Sequence, residues 1–244
     1  MSARREFLRR AGLLAAGTVA AGAVPPTAFA AVGTAPLASD AAKTTAPGTA
    51  PGTAPGTAPG DWDMSWVGRV TGTYRMCFDA HEISEGTCLH QVRSFLSGYA
   101  DTLGLADADL SAVLVVRHAA VPMVLDDALW ADGAFAEEHE LVDPETGEPA
   151  RRNPFVRVPA GAGHALTWPD GALDTLMSRG VIVLACELAL NNLAGRVARR
   201  KSISRDEARA LFATNLLPGV IRMPSGIFAT SHAQSLGCGV LNAV

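Results

Sequence analysis

"VIVLACELALNN" (Val181–Asn192) reads as a buried strand that runs straight into a helix. Five apolar residues, Val181 to Ala185, lead to Cys186, and Leu190, Leu193 and Val197 then recur at helical spacing. An unbroken apolar run of that length fits a strand covered on both faces, as in parallel sheets whose crossover helices lie on each side. The pattern repeats along the chain. Thr73–Phe78 is a first strand, ending in Asp79-Ala80-His81, and Leu89, Val92, Leu96, Tyr99 and Leu103 mark one face of a helix that stops at Gly104. Ala112–Val116 is a second strand, ending at Arg117-His118, with a helix expected over Leu125–Trp130.

Residues 137–168 break the alternation. Asp143-Pro144-Glu145-Thr146-Gly147 is a turn, and Asn153-Pro154, Pro159 and the glycines around Ala162 keep the segment irregular. Long loops in compact domains are often functional, so the part holding Arg152 and Asn153 is expected to fold over the site. Leu173, Leu176 and Met177 form a short helix closed by Gly180, after which Val181–Cys186 is the third strand, with its helix running to about Arg199. Ser204 and Glu207 make a capping box that opens a helix ending before Pro218. Val220–Met223 is a fourth strand, Pro224-Ser225-Gly226 leads into a helix ending near Gly237, and Val240-Leu241 is a terminal strand. Alternation of this kind predicts an α/β fold, a three-layer α/β/α sandwich with a mostly parallel sheet of about five strands.

The first thirty residues read as an export leader. Ala3-Arg4-Arg5-Glu6-Phe7-Leu8-Arg9 matches the twin-arginine pattern, a weakly apolar run from Ala11 to Val24 follows, and Ala28-Phe29-Ala30 is an A-x-A cleavage site. The run is too short and too rich in Ala and Gly for a spanning helix. Residues 31–60 are low complexity, with Thr-Ala-Pro-Gly repeated from Thr45 to Gly60, and form a linker without chemistry of its own. Residues 61–244 are long enough for one domain with a real core. Loss of the leader takes four arginines and one glutamate and leaves 16 basic against 23 acidic residues, a net charge near −7. Such acidity argues against nucleic acid as a partner, which requires a basic footprint. The expected product is periplasmic or extracellular, without a membrane span.

Four cysteines remain, Cys77, Cys88, Cys186 and Cys238, which permit three disulfide connectivities in an oxidising compartment. Twin-arginine clients fold before export, so the fold is not expected to depend on a disulfide. Pre-folding permits a cofactor without requiring one, and the sequence assigns none. No C-x-x-C, glycine-rich nucleotide loop or G-x-S-x-G occurs.

Open parallel sheets bind ligands outside the carboxyl ends of their strands. That rule selects Asp79 and His81 after the first strand, His118 after the second, Cys186 at the end of the third, and Ser225 and Gly226 after the fourth. Asn153 joins them from the long loop. Each has a plainer reading: an inert core thiol for Cys186, a loop hydrogen bond for His118, a helix N-cap for Asp79. In favour of Cys186, the positive end of the following helix dipole supports a thiolate, although Glu187 adds negative charge beside it. Cys77, His81, Cys88 and His90 form a competing metal constellation, weakened because Cys88 and His90 point to different sides of a helix. No metal ligand is assigned.

Cys186-Glu187-Leu188-Ala189-Leu190 after an apolar strand, "LLPGVIRMPSGIFATSHAQSLGC" (Leu216–Cys238) and the Asp79 strand end resemble the DsrE/DsrF-like family. "DPETGEPARRNPF" (Asp143–Phe155) resembles its exported twin-arginine branch, and the likeness covers about Tyr74 to Leu241. The resemblance implies a three-layer sandwich, assembly into a homo-oligomer, and Cys186 at the position that carries persulfide sulfur in some members. A thiolate accepts sulfane sulfur by nucleophilic exchange and passes it on. The function expected is an exported protein binding or relaying sulfane sulfur, or a small thiol-reactive ligand, through Cys186. The alternatives are a non-catalytic oligomeric binding protein with a structural cysteine, and a metal or cofactor binder loaded before export.

Overall fold

The computed structural model describes residues 61–143, 146–160 and 167–244. The leader, the linker, Pro144-Glu145 of the expected turn and the glycines around Ala162 lie outside the described residues. Five strands among the described residues form one all-parallel sheet in the order β4-β3-β2-β1-β5. They are β1 (Tyr74–Ala80), β2 (Leu110–Val116), β3 (Ile182–Cys186), β4 (Ile221–Met223) and β5 (Gly239–Asn242). The three-layer α/β/α sandwich read from the sequence is the fold observed.

Between them lie α1 (Thr87–Leu103), α2 (Asp127–Trp130), α3 (Ala134–Glu138), α4 (Leu173–Ser178), α5 (Glu187–Lys201), α6 (Arg205–Thr214) and α7 (Gly226–Ser235). Helix α1 stops where a residue with positive φ is needed, at Gly104 (φ 67°). Helix α5 ends in Arg199-Arg200-Lys201, cations suited to the negative end of its dipole. The Ser204–Glu207 capping box is made in both directions, at 2.8 and 3.1 Å.

Strand order fixes the layers. Steps from β1 to β2, β3 and β4 run one way across the sheet, and right-handed crossovers put all their helices on one face. The step from β4 to β5 runs back past β1, so α7 crosses the opposite face, where it touches all five strands. Packing agrees. Phe78, Leu114, Val116 and Val183 face Leu89, Val92, Leu193 and Val197, while Cys77, Val113, Val115, Ile182 and Leu184 face Ala229 and Ala233 of α7 with Trp66 beside them. Central strands β2 and β3 are buried throughout, which is why they read as unbroken apolar runs.

The helix expected over Leu125–Trp130 is present as the short α2, capped by Asp126. Ahead of it lies a 3-10 helix, His118–Val124, that the sequence reading did not include; Pro122 inside it lacks the N–H that a continuous α-helix requires. Helix α3, which the sequence reading omitted, leads into the long irregular segment, and Phe135 of α3 and Phe155 of the segment pack against Trp130. No helix among the described residues is long and apolar enough to cross a membrane.

Candidate functional site

Adjacent strands β3 and β4 send their chains to opposite faces of the sheet, α5 to one and α7 to the other. A crevice opens at such a switch point, and a cavity of about 470 Å³ lies there. Its walls come from three strand ends: Arg117-His118-Ala119 after β2, Cys186 with Leu188 and Ala189 after β3, and Ser225-Gly226-Ile227 after β4. Asn192, Leu193 and Arg196 of α5 and Glu138 of α3 complete it.

Cys186 is the N-cap of α5, with extended backbone (φ −73°, ψ 111°) and no side-chain cap of its own. It is 6% exposed, and that exposure opens into the cavity. The carboxylate of Glu187 turns the other way. It accepts from Asn191 Nδ2 at 3.0 Å and lies 3.5 Å from Arg222 Nη1, lining a separate cavity with Arg209 and Arg222. Its charge is thereby held away from the thiol and set against a cation.

Arg117 is the fixed cation of the site. Its Nε donates to Asp79 Oδ1 at 2.6 Å and its Nη2 to Asp79 Oδ2 at 2.8 Å, a bidentate pair between the ends of β2 and β1. These hydrogen bonds push the Arg117 pKa further up, against the opposing effect of burial, and negative charge at Cys186 adds to the same direction. The Arg117 stem lies on the first turn of α7. A Cβ on Gly226 would stand 2.5 Å from Arg117 Cδ and 2.7 Å from its Cβ, so only glycine admits that approach. Ser225 caps α7 by accepting from Phe228 N at 3.1 Å.

His118 has φ +51°, a left-handed conformation uncommon outside glycine and frequent at functional sites. Its ring is 70% exposed at the cavity mouth, with Nδ1 3.5 Å from Glu82 Oε1. Arg196 is held by an ion pair with Glu138.

Cys186, His118, Ser225 and Gly226 thus converge, and Asp79 stands behind them through Arg117. Asp79 is not an N-cap, since Gly86 holds that place for α1. His81 is half-buried outside the cavity lining; its carbonyl accepts from Ala119 N, and its Nδ1 is buried without a partner. Asn153 does not line the cavity. Its Nδ2 donates to the carbonyls of Met123 and Leu125 at 2.8 and 2.7 Å, and its Oδ1 accepts from Phe155 N at 2.9 Å. Burial of those backbone groups demands partners, and Asn153 supplies them, so the loop is a structural staple rather than a cover over the site. Arg152 lies 3.7 Å from Asp127, also outside the lining.

Arg117, Asn192, Arg196 and Glu138 were missed in the sequence. The strand-end rule that selected His118 applies equally to Arg117, and Ala189, Asn192, Leu193 and Arg196 follow Cys186 at helical spacing. Glu138 carried no such signal. The metal constellation does not assemble, because Cys77 faces α7 while Cys88 lies in the opposite layer. Among the described residues no group of three or more His, Cys, Asp or Glu is placed to hold a metal ion. All four cysteines are free thiols.

No family model and no curated protein matches the chain. Among solved structures, a protein of unknown function from Methanobacterium thermoautotrophicum is similar at 16% identity and a TM-score of 0.37, over 69% of this chain and 98% of that one.

Proposed function

We propose that this domain is a DsrE-like protein that takes up and passes on sulfane sulfur, or binds a small thiol-reactive ligand, at Cys186. The observation that supports it is the placement of one thiol, of four, on a cavity at the sheet's switch point, beside a fixed arginine and at the start of a fifteen-residue helix. Reactive cysteines occupy such electropositive, partly open surroundings, whereas wholly buried ones are inert. Export by the twin-arginine route and removal of residues 1–30 belong to the same proposal, and the N-terminal mass of the secreted product tests them. So does self-association. Edge strand β5 exposes Val240 and Leu241 and bears no charged residue, which suits pairing with a second copy, and light scattering of the purified protein reads it.

The deciding experiment for Cys186 is intact-mass measurement of reduced protein treated with inorganic polysulfide. Wild type should gain one or more sulfur atoms, mapped to Cys186, and Cys186→Ser should gain none. A wild-type Cys186 that stays unmodified while folded overturns the proposal.

A further inference from the structure

Five N–H groups make up a guanidinium, and Asp79 occupies two of those on Arg117. The other three, both on Nη1 and one on Nη2, have no acceptor among the described residues, although the side chain is only 25% exposed. Asp79 and the Gly226 contact hold the head and the stem, so the free edge cannot swing out to solvent without breaking the pair. Among the charged groups of the cavity wall, Arg196 is matched by Glu138, and His118 stands at the mouth near Glu82. Arg117 is matched by a carboxylate outside the lining, so the wall itself presents two guanidinium groups against one carboxylate. A fixed cation with unused parallel donors beside a thiol is the arrangement that holds an oxyanion.

Resting on the proposed sulfur chemistry of Cys186, we infer that the cavity takes a sulfane-sulfur donor terminated by an oxyanion, of which thiosulfate is the simplest, and that Arg117 is the specificity-determining residue that binds the oxyanion. The step balances without an external oxidant or reductant. The Cys186 thiol first gives up its proton to water or to the His118 imidazole. The thiolate attacks the outer sulfur of thiosulfate, and a new S–S bond forms. The original S–S bond breaks, its electron pair stays with the oxygen-bearing sulfur, and sulfite leaves. Cys186 is left as a persulfide. Arg117 N–H groups hold the oxygens before the step and the sulfite charge after it. Asp79 is a positioning residue that acts through Arg117.

Loading rates of Cys186 with thiosulfate and with inorganic polysulfide, measured side by side by mass spectrometry together with released sulfite, test this. Wild type should load from both and release one sulfite per sulfur taken from thiosulfate. In Arg117→Met the ratio of thiosulfate to polysulfide rates should fall by at least about tenfold, the usual effect of losing a charge-assisted hydrogen bond. Arg117→Lys should recover part of that ratio by restoring the charge. Sulfate, an unreactive oxyanion, should slow thiosulfate loading of wild type more than polysulfide loading, which serves even if the Arg117 variants do not fold. Loading from polysulfide but not from thiosulfate overturns this inference and leaves the proposed function standing. Loading from neither overturns both. An unchanged ratio in a folded Arg117→Met protein, or no preferential effect of sulfate, removes Arg117 from the role.

Discussion

Two cysteines of this domain begin helices, and they have little else in common. Cys88 is the second residue of α1, and Cys186 caps α5. Cys88 is wholly enclosed, with its Sγ 3.9 Å from Met123 Sδ, and burial pushes its pKa up to about 12. Cys186 opens onto a cavity and has Arg117 as a charged neighbour. Both have the positive end of a helix dipole beside them, so the dipole does not separate them. Access and a fixed cation do. Cys77, likewise enclosed and pushed up to about 12 by burial, behaves as Cys88 does.

The largest consequence is kinetic. A thiol with a pKa of about 12 is roughly 10⁻⁴ thiolate at pH 8, so alkylation of the enclosed Cys88 by iodoacetamide in the native protein should trail that of free cysteine by at least about a thousandfold, with Cys186, open to the cavity, labelled well ahead of it. Peptide mass spectrometry on samples quenched over time gives both rates, and comparable labelling would erase the distinction. Next in size is Gly226→Ala. Its new methyl group meets the Arg117 stem, and overpacking of this kind costs about 1–3 kcal/mol. Urea unfolding should show that loss, and thiosulfate loading of Cys186 should fall with the displaced guanidinium.

Substitution by serine sharpens the contrast from the side of stability. Cys88→Ser buries a hydroxyl among apolar neighbours and should cost about 1–3 kcal/mol. Cys186→Ser can direct its hydroxyl into the cavity and should cost under about 1 kcal/mol while abolishing sulfur loading. Equal losses in the two variants would mean that Cys186 is a core residue like the other. The smallest expected effect on Cys186 is from a helix start with neither thiol nor cavity. Ser204→Ala removes a cap of α6 worth about 1 kcal/mol and should leave Cys186 alkylation as it is in wild type.

The strands and most helix limits were legible because each carries its own local signal. β2 and β3 are unbroken apolar runs, Gly104 marks a positive φ, and Ser204 and Glu207 spell a cap. The 3-10 helix at His118–Val124, with Pro122 inside it, carries no periodic signal of that kind and was not read. The site was legible to the extent that it obeys the strand-end rule, which found Cys186, His118, Ser225 and Gly226. Asn153 shows the limit of that reasoning. An asparagine in a long loop looks the same in sequence whether it faces a ligand or satisfies buried carbonyls, and only the packing distinguishes them. Arg117 fails in the opposite sense: it belonged to a named dipeptide, but its importance depends on Asp79, 38 residues away. That Cys186 and Gly226 share one crevice depends on the strand order, which no local pattern encodes.

Strand order also sets a timetable. β1, the first strand made, takes β5 as its partner from Met76–Gly239 to Asp79–Asn242, and the Asp79 carbonyl accepts from Ala243 N at 2.9 Å. At about 5–20 residues per second, a ribosome needs roughly ten to thirty seconds to carry synthesis from the end of β1 to the end of β5. During that interval one edge of β1 is open to any strand that comes near, so a nascent chain stalled before residue 239 should be a better chaperone client than the finished one. Helix α7 is secured at its far end by β5, so the Ser225–Ile227 wall of the cavity is among the last parts of the domain to be set in place.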